Sequence, residues 1–380
     1  MNLQPTRKTV AHIVILLGIL AAWYTGGTMN RKLAADRAAR HPHLQSLETA
    51  PPAVLFTTLV LGGFRGLLVD MLWLRVSVLQ DQGDYVEVVQ LSDWITRLDP
   101  NSTEVWQFHA WNMAYNISVM MPDPVDRWRW IQNGIHLLRD EGIVLNPSEP
   151  QLYHALGWLY QHKIGGTTDD AHGYYKRQLA GTMQTILEHG FPDYESLRND
   201  TTRTERLRRE FKLDTTVMEA VDRDLGPLDW RVPETHAIYW AWQGLPLATG
   251  NAALPCERMI IQSLSELVRH GRLHFDRETD TYRQSPDTNL LSRVLTRFET
   301  TIQTFDLEGF HAGRRTLVTD AARIFHNQGD PATARRLFER FNAELPPPMR
   351  FPDFETFIKS PSDTYYLEPR HNHDVHPNTP

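Results

Sequence analysis

LWLRVSVLQDQGDY (residues 72–85) runs directly into VEVVQLSDWITRLDP (residues 86–100), and this stretch decides the fold. Leu72, Val76 and Leu79 recur at i, i+4 and i+7, which places them on one face of a helix. Gly83 follows, at a point where a positive φ ends a helix without steric cost. Asp84 stands in a turn at Gly83-Asp84-Tyr85, where a carboxylate can accept from the free N–H groups of a second helix. Val88, Leu91 and Ile95 carry the apolar stripe of that second helix. Pro100 ends it, because the residue before a proline is pushed out of the α region. Two such helices cover only part of each other's apolar surface, so the unit needs neighbours.

Those neighbours are visible in the sequence. Trp106 and Ala110 fall 34 residues after Leu72 and Val76. The second unit is read with an insertion over Ser118–Asp126, containing Pro122 and Pro124, and a second helix over Arg127–Leu145 that closes on Asn146-Pro147. A third unit opens Tyr153-x-x-Leu156-Gly157-x-x-Tyr160. Gly157 is expected to let the two helices of its unit approach closely. This unit leaves the pattern at Lys163–Asp170 (KIGGTTDD). Near the end, Gly329-Asp330, Ala334 and Pro346 repeat the spacing of Gly83-Asp84, Val88 and Pro100.

Turn, small-residue and proline positions together resemble the tetratricopeptide repeat (TPR), a helix-turn-helix unit of about 34 residues. The resemblance covers roughly residues 70–185 and 312–347 and rests on Gly83, Asp84, Tyr85, Pro100, Tyr153, Leu156, Gly157, Tyr160, Gly329, Ala334 and Pro346. With LGGFRGLLVDMLWLR (residues 61–75), the chain also resembles membrane-anchored bacterial TPR proteins, a likeness that implies no defined activity. The resemblance implies an all-α, TPR-like α-solenoid of helical hairpins that binds a protein segment in its concave groove.

Composition narrows the possibilities. Hydrophobic residues make up 41% of the 380 and charged residues 22%, enough for a substantial core. A net charge of −7 argues against a general nucleic-acid binder. The single cysteine, Cys256, excludes an intramolecular disulfide and a cysteine-based zinc site. Thr9–Asn30 contains no Lys, Arg, Asp or Glu, and its 22 residues are enough to span a bilayer as an N-terminal transmembrane helix. A cleaved signal peptide is the rival; Ala21-Ala22-Trp23 is a poor cleavage site, which favours an uncleaved single-pass anchor. Basic residues on both sides leave its orientation open.

The expected organisation is an anchor (1–30), a linker (31–52), TPR-like repeats (53–189), an irregular insertion with loops (190–257), helical hairpins ending in a TPR-like unit (258–347) and a polar tail (348–380). Ala53–Phe64 is apolar but too short to span, and reads as buried or interfacial.

Seven of the eleven tryptophans lie between Trp73 and Trp158, which suggests either core packing or an aromatic-lined groove. Trp94, Trp128 and Trp130 are the groove candidates, with Asn112 and Asn116 as polar contacts. His154, His162, Asp169, Asp170 and His172 lie near one another, but no histidine pair has the spacing of a helical metal site, so no metal and no cofactor are expected. Asp229, Arg231 and His236 crowd one loop, which feeds a helix at Glu234, and could do acid–base work. No G-x-S-x-G, P-loop or G-x-G-x-x-G accompanies them, and loop ion pairs or caps are the plainer reading. The expectation is therefore a membrane-anchored scaffold for a partner protein, without enzymatic activity, nucleic acid or small-molecule substrate, serving an envelope assembly or export complex. An enzyme or glycan-handling protein built on the Asp229–His236 loop is the alternative, and an accessory subunit of a membrane transporter a third.

Overall fold

The computed structural model describes residues 65–360 except 277 and 280, together with Thr28. The linker 31–52, the apolar run Ala53–Phe64, the residues after Ser360 and, Thr28 apart, the anchor segment lie outside the described residues. No described helix is long and apolar enough to cross a membrane. The described chain is 78% helix and 3% strand, which makes it all-α in class. It divides into two compact units, residues 1–112 and 113–380.

The first unit holds α1 (Arg65–Gln82), α2 (Tyr85–Leu98) and α3 (Thr103–Trp111). Val76, Leu79, Val88, Leu91, Ile95 and Val105 form its core, with Trp73 set edge-on against Phe108. The α1–α2 turn is a Schellman motif. Gly83 has φ +76°, its N–H donates to the Gln80 carbonyl (3.1 Å), and the Asp84 N–H donates to the Leu79 carbonyl (2.9 Å). Asp84 then caps α2 by accepting from the Glu87 N–H at 3.3 Å. The Pro100 carbonyl beyond α2 accepts from the Trp106 indole N–H at 2.9 Å.

The second unit contains α4 (Pro124–His136), α5 (Pro150–Trp158), α6 (His172–Leu187), α7 (Thr215–Leu225), α8 (Pro233–Gly244) and α9 (Leu254–His270). After a β-hairpin come α10 (Leu291–Phe305), α11 (Glu308–Asn327) and α12 (Pro331–Glu344). The α11–α12 turn repeats the first one bond for bond. Gly329 has φ +83° and donates to the His326 carbonyl (3.1 Å), while Asp330 donates to the Phe325 carbonyl (2.9 Å) and caps Thr333 (3.0 Å).

Several boundaries differ from the sequence reading. Helix extends to Met120 and resumes at Pro124, capped by Asp123, so the break expected over Ser118–Asp126 shrinks to 121–123. Residues 190–257 are not mainly loops. They include two short helices, Tyr194–Asn199 and Thr201–Arg206, then α7 and α8. Every residue from Pro233 to Ala241 is buried, and α8 packs against both α5 and α9. A helix buried on nearly all sides has no one-sided apolar stripe to read, and PETHAIYWAWQG is such a helix. Gly157 lies beneath α8: a Cβ there would come 3.2 Å from the Ala237 carbonyl oxygen. The close approach expected within one repeat is thus made to a helix about eighty residues later in sequence.

Strands β1 (Arg272–Asp276) and β2 (Thr281–Ser285) form an antiparallel hairpin with Leu273 opposite Gln284. The tail expected from residue 348 also begins later. Phe354 and Phe357, on the short helix Phe354–Lys359, are buried against Phe338 and Phe341 of α12.

Candidate functional site

Regular helix gives way to a π-helical turn after α4 (Leu137–Gly142), after α5 (Leu159–Ile164) and at Leu207–Phe211. A π turn inserts a residue into the winding and re-aims the side chains around it. Here all three turns supply the walls of one cleft of about 360 Å³. Arg139 and Asp140 come from the first turn, Tyr160 from the second, and Arg209, Glu210 and Phe211 from the third. Trp128, Gln132, Ile135 and His136 of α4 and Leu179 and Thr182 of α6 complete the lining.

The cleft is held rigidly. Arg139 is buried; its Nε and Nη2 donate to the Asp140 carboxylate (2.8 Å each) and its Nη1 to the Glu210 carbonyl (2.8 Å). Burial works to lower the Arg139 pKa, but its bonds to Asp140 and Tyr160 outweigh this and raise it, so the cation persists. Trp128 stacks on Tyr175 at 5.9 Å, and Tyr160 stacks on His236 at 4.9 Å. The result is an aromatic wall beside a fixed guanidinium, with Arg209 at the exposed rim.

An ion-pair network fastens the KIGGTTDD loop nearby. Asp169 accepts from Lys163 Nζ (2.6 Å), the Tyr175 hydroxyl (3.1 Å), the Ala171 N–H (2.9 Å) and Arg127 Nη1 (3.2 Å). Arg127 also pairs with Asp170. Burial pushes the Asp169 carboxyl up, yet the bonds from Lys163, Ala171 and Tyr175 prevail and hold it at about 2. His162 bonds to the Tyr115 hydroxyl through Nδ1 (2.9 Å) and stacks on Trp158. No cluster of three or more His, Cys, Asp or Glu side chains among the described residues could hold a metal ion.

Asp229 and Arg231 form a buried structural clamp. Asp229 Oδ1 accepts from the Arg231 N–H and Nε, and Oδ2 accepts from Arg231 Nη2 (2.7 Å) and the Leu273 N–H (3.4 Å). Both oxygens are thus occupied by donors of the clamp itself. Arg231 Nη2 returns a bond to the Leu273 carbonyl at 2.8 Å, which ties β1 to the loop before α8. His236 is sealed beside them. A carbonyl only accepts, so the 3.0 Å bond to the Trp230 oxygen puts the proton on Nε2, and Nδ1 has no partner among the described residues. Desolvation depresses this imidazole to about 4, and it stays neutral. None of the three residues lines the clefts described here.

Glu234, two residues before His236, is buried with Oε2 unbonded among the described residues. Desolvation pushes its carboxyl from 4.5 up to about 7, partly offset by its own N–H and by Lys176. Below the unfolded value both states are protonated and nothing is lost. Between the two values the unfolded chain releases its proton first, so stability falls as pH rises and stays lower beyond the folded value. Glu234→Gln should stabilise the protein by about 1–3 kcal/mol near pH 8 and change little near pH 4, read from urea midpoints.

The remaining groove candidates separate. Trp94, in the first unit, is 48% exposed, and Trp130 is half-buried. Asn112 is fully buried, and its side-chain amide donates to the Tyr85 carbonyl, a structural role. Asn116 is half-buried in the π turn after α3. Only Trp128 lines the cleft, and Tyr160, read from the sequence as a repeat position, joins it. Arg139 and Phe211 were not anticipated, because nothing in their sequence neighbourhoods signals a π turn. A larger groove of about 770 Å³ lies between α9, α10 and α11, but Arg269 there is already paired with Glu266 and Asp320. No family model matches the chain, and no curated protein matches it.

Proposed function

We propose that the protein is a membrane-tethered, TPR-like scaffold that holds a segment of a partner protein, the cleft lined by Trp128, Tyr160, Phe211 and Arg139 receiving an anchor side chain. One observation carries the reading: three π-helical turns, distant in sequence, converge on a single cleft with aromatic walls and a fixed cation. Departures from regular winding of this kind are common at functional sites. Aromatic and arginine side chains in a preformed pocket are the usual anchors of protein recognition. The matching Gly-Asp turns at 83–84 and 329–330 support repeated helical hairpins, and the uncharged run Thr9–Asn30 supports the tether. The saturated Asp229 and sealed His236 favour binding over catalysis.

The test is affinity capture of the full-length chain from detergent-solubilised membranes, read by mass spectrometry. A stoichiometric partner should be recovered with the wild type and lost with Gln132→Trp, which plugs the cleft from its rim. Recovery of no such partner, or equal recovery with the plugged variant, would refute the reading.

A further inference from the structure

Helix α1 carries two apolar stripes on opposite faces. Val69, Leu72, Trp73, Val76 and Leu79 pack into the first unit. Leu67, Met71, Leu74 and Val78 face outward, 57%, 60%, 70% and 46% exposed. Their spacing is four, three and four residues, the a/d alternation of a coiled-coil seam. Leu67 and Leu74 take the d positions, and Met71 and Val78 the a positions. In parallel coiled coils, leucine at d with a β-branched residue at a, here Val78, favours two strands.

We propose that this face pairs with the same face of a second copy of the chain, the two α1 helices running parallel and in register. The flanking charges select that occupant. Asp70 falls at g and Arg75 at the following e, and both are exposed. In a parallel pair, g of one helix meets the next e of its partner, so Asp70 of each copy faces Arg75 of the other across both edges of the seam. An antiparallel pair sets e against e and g against g, bringing like charges together. A bilayer surface has no use for this alternation, and the acidic edge of Asp70 and Asp81 disfavours anionic lipid. Arg75 already touches Glu87 of α2 at 3.1 Å, and at 51% exposure it remains free to share a second carboxylate. The stripe ends at Asp81, the next d position, so the seam spans roughly 16 Å and the pairing is weak and concentration-dependent.

Cysteine crosslinking of the purified full-length chain in mild detergent tests the pairing, since the native Cys256 is buried at 1% exposure. Leu67→Cys and Leu74→Cys should each form a disulfide-linked dimer, at about tenfold or more the yield of Val86→Cys on the exposed side of α2. Asp70→Arg and Arg75→Asp, each introduced with Leu74→Cys, should each cut the yield about threefold, and the double reversal should restore it. Restoration separates an intermolecular pair from the loss of the Glu87 contact. Linking at Leu74→Cys alone would indicate antiparallel packing. No linking above the control would indicate that lipid or another protein covers the face. Either result overturns the proposal, and neither bears on partner capture by the cleft.

Discussion

Asp169→Ala should cost about 3–5 kcal/mol of folding stability, among the largest effects of any single substitution in the chain. The carboxylate is 5% exposed and its main partner, Lys163, 3%. Removing the acid leaves an ammonium buried over the Tyr115 ring, 5.1 Å from its centroid. It also frees the Tyr175 hydroxyl and the Ala171 N–H, both of which Asp169 satisfies. Replacing both charged groups, as in Lys163→Met with Asp169→Leu, should recover most of the loss, because isosteric apolar pairs often substitute well for buried ion pairs. The acid limb follows the same sign. With its folded pKa held at about 2 against an ordinary 3.8, Asp169 contributes fully above the ordinary value and loses its contribution as pH falls through the folded one. Urea unfolding of the wild type and the two variants, followed by tryptophan fluorescence, measures this. A loss under about 1 kcal/mol for Asp169→Ala would show that the network is not structural.

Gly190→Ala is expected to be nearly as damaging, by about 3 kcal/mol or more, through a different cause. A methyl group at residue 190 would overlap the Asp229 carboxylate. That carboxylate cannot retreat, because Arg231 and the Leu273 N–H hold both oxygens and its side chain is fully buried. The backbone is fixed as well, since the Gly190 carbonyl accepts from the Trp230 N–H at 2.8 Å. Strain at this one position therefore spreads to the clamp between β1 and the α8 loop. Gly190→Ala combined with Asp229→Ala should be much less destabilising than the sum of the two single changes, because the new methyl occupies the vacated space. Simple additivity in the double-mutant cycle would refute the steric account.

These two sites differ in how far the sequence announced them. The turns at Gly83 and Gly329 were legible because their causes are local: a glycine with positive φ and an aspartate positioned to cap. Asp229 and Arg231 were legible as an ion pair for the same reason, being two residues apart. The Asp169 network was not, since Arg127 lies 42 residues away in sequence. The start of helix α8 was legible to within one residue, at Glu234, but its burial was not, because amphipathic patterning fails for a helix buried all round. The β-hairpin escaped because only Leu273 is fully buried in a setting of polar, turn-forming residues. The cleft was half visible: Trp128 announced itself as a large aromatic, whereas Arg139 and Phe211 reach it through extra residues in the helical winding.

Those extra residues give the cleft a separable construction. A π-helical turn holds one residue more than the α-helix that flanks it. Deleting a single residue within 137–142 or 159–164 would return that helix to ordinary winding and leave the turns on either side in their present register. The recess is in this sense an accessory of chain length, made by lone insertions into helices whose packing was already set. Length variants of the same architecture could gain or shed it one amino acid at a time.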